Sequence, residues 1–148
     1  MNTLEINKEF LDSLFAKAKE NPRLRHNYDL RTSAEDKSQR MLNALLPGTD
    51  VAIHRHPNSS ESVICLCGRM DEVIYEEVVF YHQDAGDTIR KVSYQEIERI
   101  HLCPENGDFA CQVPKGAWHT VEVFEPSVIF EAKDGAYGKD GSEILRTT

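Results

Sequence analysis

From Pro22 onward the chain is a succession of short β-type runs separated by turn residues, with no helical period between them. The runs are Gln39–Leu46, Val51–His56, Val63–Cys67, Val73–Tyr81, Ile89–Tyr94, Glu98–Leu102, Phe109–Val113, Thr120–Phe124 and Ser127–Ala132. Pro47-Gly48, Asp84 to Asp87, Asn106-Gly107 and Glu125-Pro126 punctuate them. Without helices to carry crossovers, the strands must pair antiparallel, which predicts a mainly β sandwich or barrel and excludes a parallel βαβ sheet. One helix precedes them: Ile6, Phe10, Leu11, Leu14, Phe15 and Ala18 recur at helical spacing, Asn7 is placed to cap, and Pro22 follows. The expected organisation is one domain over 1–148, with a helix and polar arm over 1–38, the β-rich body over 39–133 and an irregular tail over 134–148.

At 148 residues the chain can bury a self-sufficient core. The formal net charge of −8 is the wrong sign for a general phosphate-backbone binder, so no nucleic-acid partner is expected. The longest apolar run, Val63 to Cys67, is far short of the ~20 residues of a membrane-spanning helix. The first ten residues carry acids and no apolar stretch, so the expectation is no secretory signal and a cytoplasmic location with reduced thiols at Cys65, Cys67, Cys103 and Cys111. A local basic island between Arg23 and Arg40 interrupts the acidic background.

His54 and His56 sit two apart in a strand-like run. Side chains at that spacing share a face, ~6.6 Å apart along the strand, and can lean onto one ion with bonds of ~2.1 Å. Glu61 follows after a Pro-Asn-Ser-Ser turn, early in the next run, so antiparallel pairing returns its carboxylate beside the histidines. Two imidazoles and a carboxylate leave open positions on a metal. His119, opening a strand after the Pro114–Gly116 turn, is a fourth candidate ligand.

These residues fall in a pattern that resembles the cupin superfamily. The first cupin motif is matched in full by Gly48, five residues, His54-Arg55-His56, four residues, Glu61, six residues and Gly68. The second is matched by Gly107, Pro114-Lys115-Gly116, two residues and His119, with one extra residue before the proline and Val123 where asparagine is common. The resemblance implies a cupin-type antiparallel, jelly-roll-like barrel with a metal inside, held by His54, His56, Glu61 and His119. The long interval from Gly68 to Gly107 is expected to extend the barrel as a hairpin around Asp84 to Asp87.

A resemblance to WbuC-type cupin fold metalloproteins covers nearly the whole chain. It rests on Asn21 to Asn27, Gln39 to Gly48, His54-Arg55-His56, Gly116 to Thr120 and Phe130 to Tyr137. It implies an association with bacterial surface-polysaccharide synthesis, and cupins in general imply a homodimer. The expected cofactor is one divalent ion (Zn, Fe, Mn or Ni), and the expected partner is a small anionic ligand. The leading expectation is metal-assisted isomerisation or epimerisation of a small metabolite or sugar derivative. An Fe(II)-dependent dioxygenase and a non-catalytic ligand-binding module are the alternatives.

Arg25, His26 and Asn27 form a donor-rich segment suited to an anionic group. Arg40 lies in an otherwise apolar run and points either into the barrel or to solvent. Tyr137 either closes over the barrel mouth or lies on its outer surface. His26 and Tyr137 are the titratable candidates for catalysis beyond the metal ligands. Trp118 is expected to pack beneath the site. Cys65 and Cys67 share strand parity with Glu61, which aims both inward as small hydrophobes as long as no bulge intervenes.

Overall fold

The structure is a computed structural model, and it describes residues 2–135 and 141–145. Helix α1 (Lys8–Glu20) begins where the sequence places a cap: the Phe10 amide donates to Asn7 Oδ1 at 2.9 Å. Its buried face, Leu14 and Ala18 with Phe10, Leu11 and Phe15 at the margin, packs on Leu42, Ala44, Leu46 and Val128. Burying a leucine such as Leu14 contributes ~2 kcal/mol.

Eight strands follow: β1 (Arg25–Asp29), β2 (Ser38–Leu45), β3 (His54–Arg55), β4 (Glu61–Asp84), β5 (Asp87–Leu102), β6 (Ala110–Val113), β7 (Trp118–Asp134) and β8 (Glu143–Ile144). They form one curled antiparallel sheet with the order β1-β2-β7-β3-β8, and β4 pairs with β5, β6 and β7. A second apolar cluster, built on Leu45, Val63, Cys65, Met70, Ile74, Leu102, Val113, Val123 and Ile129, fills the interior beside a cavity. Strand β2 serves both layers by alternation. Leu42 and Ala44 go under the helix, whereas Gln39, Met41, Asn43 and Leu45 line the cavity.

The structure joins runs that the sequence separates. Val63–Cys67 and Val73–Tyr81 belong to one strand, β4; Ile89–Tyr94 and Glu98–Leu102 to β5; Thr120–Phe124 and Ser127–Ala132 to β7. The apparent breaks at Gly68 and Glu125-Pro126 are one irregularity seen from both sides, where the β4–β7 register shifts between Cys65 and Met70. Gly68 has φ +95, and a Cβ there would lie 2.3 Å from the Pro126 carbonyl oxygen, so only glycine lets the two strands meet and bend. The same shift defeats simple parity for the cysteines. Cys65 lies in the interior cluster, but Cys67 packs with the residues under α1.

The extended hairpin is present. β4 and β5 pair from Met70 and Leu102 to Asp84 and Asp87, turning through Ala85 and Gly86, both at positive φ. Two further elements fall where no strand is expected: β1, inside the supposed polar arm, pairs along β2, and β8, inside the supposed irregular tail, pairs with β3. Among the described residues, no helix is long and apolar enough to cross a membrane.

Candidate metal centre

His54 is registered directly opposite His119 across the β3–β7 ladder. His56 follows two residues on, just past β3, and Glu61 opens β4. One ligand atom from each of the four comes within 4.8 Å of every other. The ring centroids are 4.2 Å apart for His54 and His119, 5.1 Å for His54 and His56, and 5.3 Å for His56 and His119. His56 Nε2 lies 2.8 Å, and His119 Nε2 3.7 Å, from the same Glu61 oxygen. His56, Glu61 and His119 are buried and His54 is half-buried.

Backbone carbonyls orient two of the rings. His54 Nδ1 pairs with the Ala52 carbonyl and His119 Nδ1 with the Ala117 carbonyl, each at 2.9 Å. Both Nε2 atoms are thereby left to face the cluster. His119 Nε2 is buried with no hydrogen-bond partner among the described residues. An orphaned imidazole nitrogen beside a carboxylate and two more imidazoles is the donor set of a divalent cation. His56 Nδ1 is 2.7 Å from Ser142 Oγ and 3.0 Å from Lys133 Nζ.

The electrostatics of His54 and Glu61 favour metal-ready protonation states. Burial, then the neighbouring His119, push the His54 imidazole down to about 4. Burial alone would raise Glu61, but the imidazoles of His119 and His56 outweigh it and hold the carboxylate ionised far below its ordinary range. Neutral imidazole and ionised carboxylate are the forms that bind a cation.

The centre opens into a cavity of about 530 Å³, within the range of small-molecule sites. Arg23, Arg25 and Asn27 line it, and Arg25 Nη1 donates to the Asp50 carbonyl at 2.9 Å. His26 and Arg40 do not line it. His26 alternates to the other face of β1, the face from which Tyr28 meets Phe10 of α1. Arg40 pairs with Asp36 at 3.2 Å and donates to the Ser38 carbonyl. Adjacent positions on a strand face opposite ways, and on β1 it is Arg25 and Asn27, not His26, that have the inward parity. Tyr137 lies outside the described residues. Trp118 packs under Arg55, whose guanidinium sits 4.6 Å from the ring centroid, and edge-on to Tyr94.

Several cavity residues escape a reading of the sequence. Glu72 on β4 and Glu131 on β7 line the cavity together with Gln39, Asn43 and Lys133. Burial, then Glu61 and Glu131, push Glu72 well above the ordinary carboxyl range. Burial, then Glu61, push Glu131 up to about 8, against the opposing influence of Asn43 and Lys133. Glu131 is half-buried and faces the cavity it lines, so it is enclosed by protein while part of its surface remains accessible. The available signal was inward alternation. Glu72 lies between Met70 and Ile74, and Asn43 between Met41 and Leu45, all of them buried.

A curled antiparallel barrel with three imidazoles and one carboxylate converging inside it is a cupin fold with the donor set of a metal centre. The chain belongs to the family described as a domain of unknown function, DUF6016, whose model matches residues 6–87. No curated protein matches the sequence significantly. Solved structures share the fold. TT1209 from Thermus thermophilus is 22% identical over 89% of this chain and 98% of its own, with a TM-score of 0.57. The capsular polysaccharide assembling protein CapF from Staphylococcus aureus is 14% identical over 82% of this chain and 29% of its own, with a TM-score of 0.51. An oxalate oxidase in complex with the substrate analogue glycolate is 14% identical over 84% of this chain and 57% of its own, also at 0.51. The chain thus spans less than a third of CapF.

Proposed function

We propose that the protein is a WbuC-type metal-binding cupin that acts on a small anionic metabolite or sugar derivative linked to bacterial surface-polysaccharide synthesis. We further propose that it does so by metal-assisted isomerisation or epimerisation. The observation that supports this best is the convergence of His54, His56, Glu61 and His119 in a cavity that Arg23 and Arg25 also line. The polysaccharide setting rests on the residue resemblance, with CapF sharing the fold.

Once bound, a divalent ion would supply Lewis-acid polarisation of a ligand oxygen. The chain's own residues account for the rest. Guanidinium groups of Arg23 and Arg25 bind the anionic end with charge-assisted hydrogen bonds. The apolar lining from Met41, Leu45, Val121 and Ile129 excludes water. Glu131, a cavity carboxyl that burial and the nearby Glu61 raise in the metal-free chain, is the group proposed to give and retake a proton as general acid or base in the isomerisation. This role replaces the one considered for His26.

The first test is elemental analysis of protein purified without a metal-affinity tag, beside His54→Ala/His119→Ala. One equivalent of zinc, manganese or nickel, lost in the variant, supports the reading. Iron at that level moves a dioxygenase to the front, and no metal after reloading refutes the centre. The second test incubates the loaded protein with nucleotide-linked keto sugars in D2O. Deuterium appearing beside the carbonyl supports proton-transfer chemistry; ligand binding without exchange or turnover leaves a binding module.

A further inference from the structure

Beyond the metal ligands, the cavity is lined by an unusual set of buried polar atoms. Gln39 Oε1, Asn43 Oδ1 and Glu72 Oε2 all have no hydrogen-bond partner among the described residues. Their residues are 2%, 9% and 1% exposed, and all three line the one cavity. Buried polar atoms in native folds are nearly always paired, because each unpaired one forfeits its hydration with no return. Three such atoms from two strands, all around the same cavity, mark a place where a ligand completes the pairing.

The chemistry of the atoms selects the ligand group. The Gln39 and Asn43 oxygens are carbonyls and only accept. An ionised carboxylate or phosphate has no hydrogen to offer them, so the anionic end of a ligand belongs at Arg23 and Arg25. A hydroxyl donates to a carboxamide oxygen and accepts on the same atom, so it also satisfies a carboxylic acid. An ammonium group is the competing donor, but burial and the nearby Glu61 raise Glu72 and Glu131 toward protonated forms that lack the full charge to attract it.

We infer that Gln39, Asn43 and Glu72 form a hydroxyl-recognition subsite beside the metal centre, selecting a polyhydroxylated anion such as a sugar acid or sugar phosphate. This rests on the reading of the cavity as a ligand site served by the centre, and it derives the sugar-like character from residues rather than from family association.

The test is calorimetric titration of the manganese-loaded full chain with gluconate, hexanoate and hexylamine as probes. Gluconate and hexanoate share charge and chain length and differ in their hydroxyls. Gluconate binding about tenfold or more tighter than hexanoate is expected, since each buried acceptor left unpaired by the hydroxyl-free ligand weakens binding by about that factor. Asn43→Leu and Glu72→Leu should each narrow the ratio while retaining one equivalent of metal. Should either variant fail to fold, the wild-type ratio and the other variant decide. Equal affinity for gluconate and hexanoate, tighter binding of hexylamine, a ratio untouched by both substitutions, or no binding of gluconate at millimolar concentration each overturns the inference. Metal content measured on the same samples separates the two readings. Absence of metal refutes the centre, and a hydroxyl preference that persists without it upholds the subsite alone.

Discussion

Glu131→Gln gives the most quantitative test of the cavity electrostatics. In the metal-free protein Glu131 retains its proton up to about 8, against an ordinary value of 4.5, because the cavity wall encloses it and the Glu61 charge lies nearby. A group whose folded pKa is raised contributes stability that is fully present below the unfolded value and is lost as pH rises through the folded one. Wild-type stability should therefore fall between pH 4.5 and 8 by an amount of order 4 kcal/mol from this group alone. That is a large share of a typical total of about 5–15 kcal/mol. Glutamine keeps the shape and cannot ionise. The assay is urea unfolding of the metal-free wild type and variant at half-unit steps from pH 5 to 8. The two curves should nearly coincide at pH 5 and diverge steadily, with the variant the more stable at pH 8. His54, depressed to about 4, adds a slope of opposite sign below pH 6.5, but it is present in both proteins and cancels in the difference. Parallel curves across the range would refute the assignment of Glu131 as an enclosed, proton-retaining carboxyl.

Three other expectations follow from the same geometry. Gly68→Ala combines a left-handed backbone with a Cβ against the Pro126 carbonyl, so the urea midpoint should report a loss of about 2–5 kcal/mol; a loss below about 1 kcal/mol would show that the bulge relaxes freely. Arg25→Ala should weaken binding of an anionic ligand in calorimetry, whereas Arg40→Ala should leave it within twofold and cost at most about 1 kcal/mol from its partly exposed pair with Asp36. Cys65 and Cys111, pushed by burial up to about 11 and about 12, should resist iodoacetamide at pH 8 with or without metal, and rapid labelling of either in the native protein would contradict their placement.

The grouping of the four candidate ligands was legible because it depends on local rules. His54 and His56 need only strand parity, and Glu61 needs only the next turn to reverse the chain. His119 was legible as a candidate, but its position opposite His54 is a matter of register, which sequence spacing does not fix. The same ignorance explains Arg25 and Arg40: Arg25 lies in a segment read as a polar arm and Arg40 in a β run, and only the pairing of β1 with β2 decides which faces the cavity. Glu72 and Glu131 were missed because a carboxylate in a strand ordinarily marks the solvent side, a rule that an interior polar cavity inverts. Gly68 and Pro126 read as chain breaks because each is a breaker alone; facing each other, they let both strands continue around a corner. β8 escaped because its pairing depends on β3, and Arg55 meets Glu143 only across a separation of 88 residues.

The ladder that sets His54 against His119 also has a consequence for the order of events in folding. Helix α1 with β1 and β2, and the β4–β5 hairpin, close over short stretches of chain, whereas β3 must find β7 across nearly half of the sequence, from His54 to His119. Loop-closure entropy makes that meeting a late step. Donors assembled that late are expected to bind a cation in the native state and not in the transition state. Loading the centre should leave the refolding rate nearly unchanged and lengthen the lifetime of the folded protein, so that the ion acts as a latch on a barrel already closed.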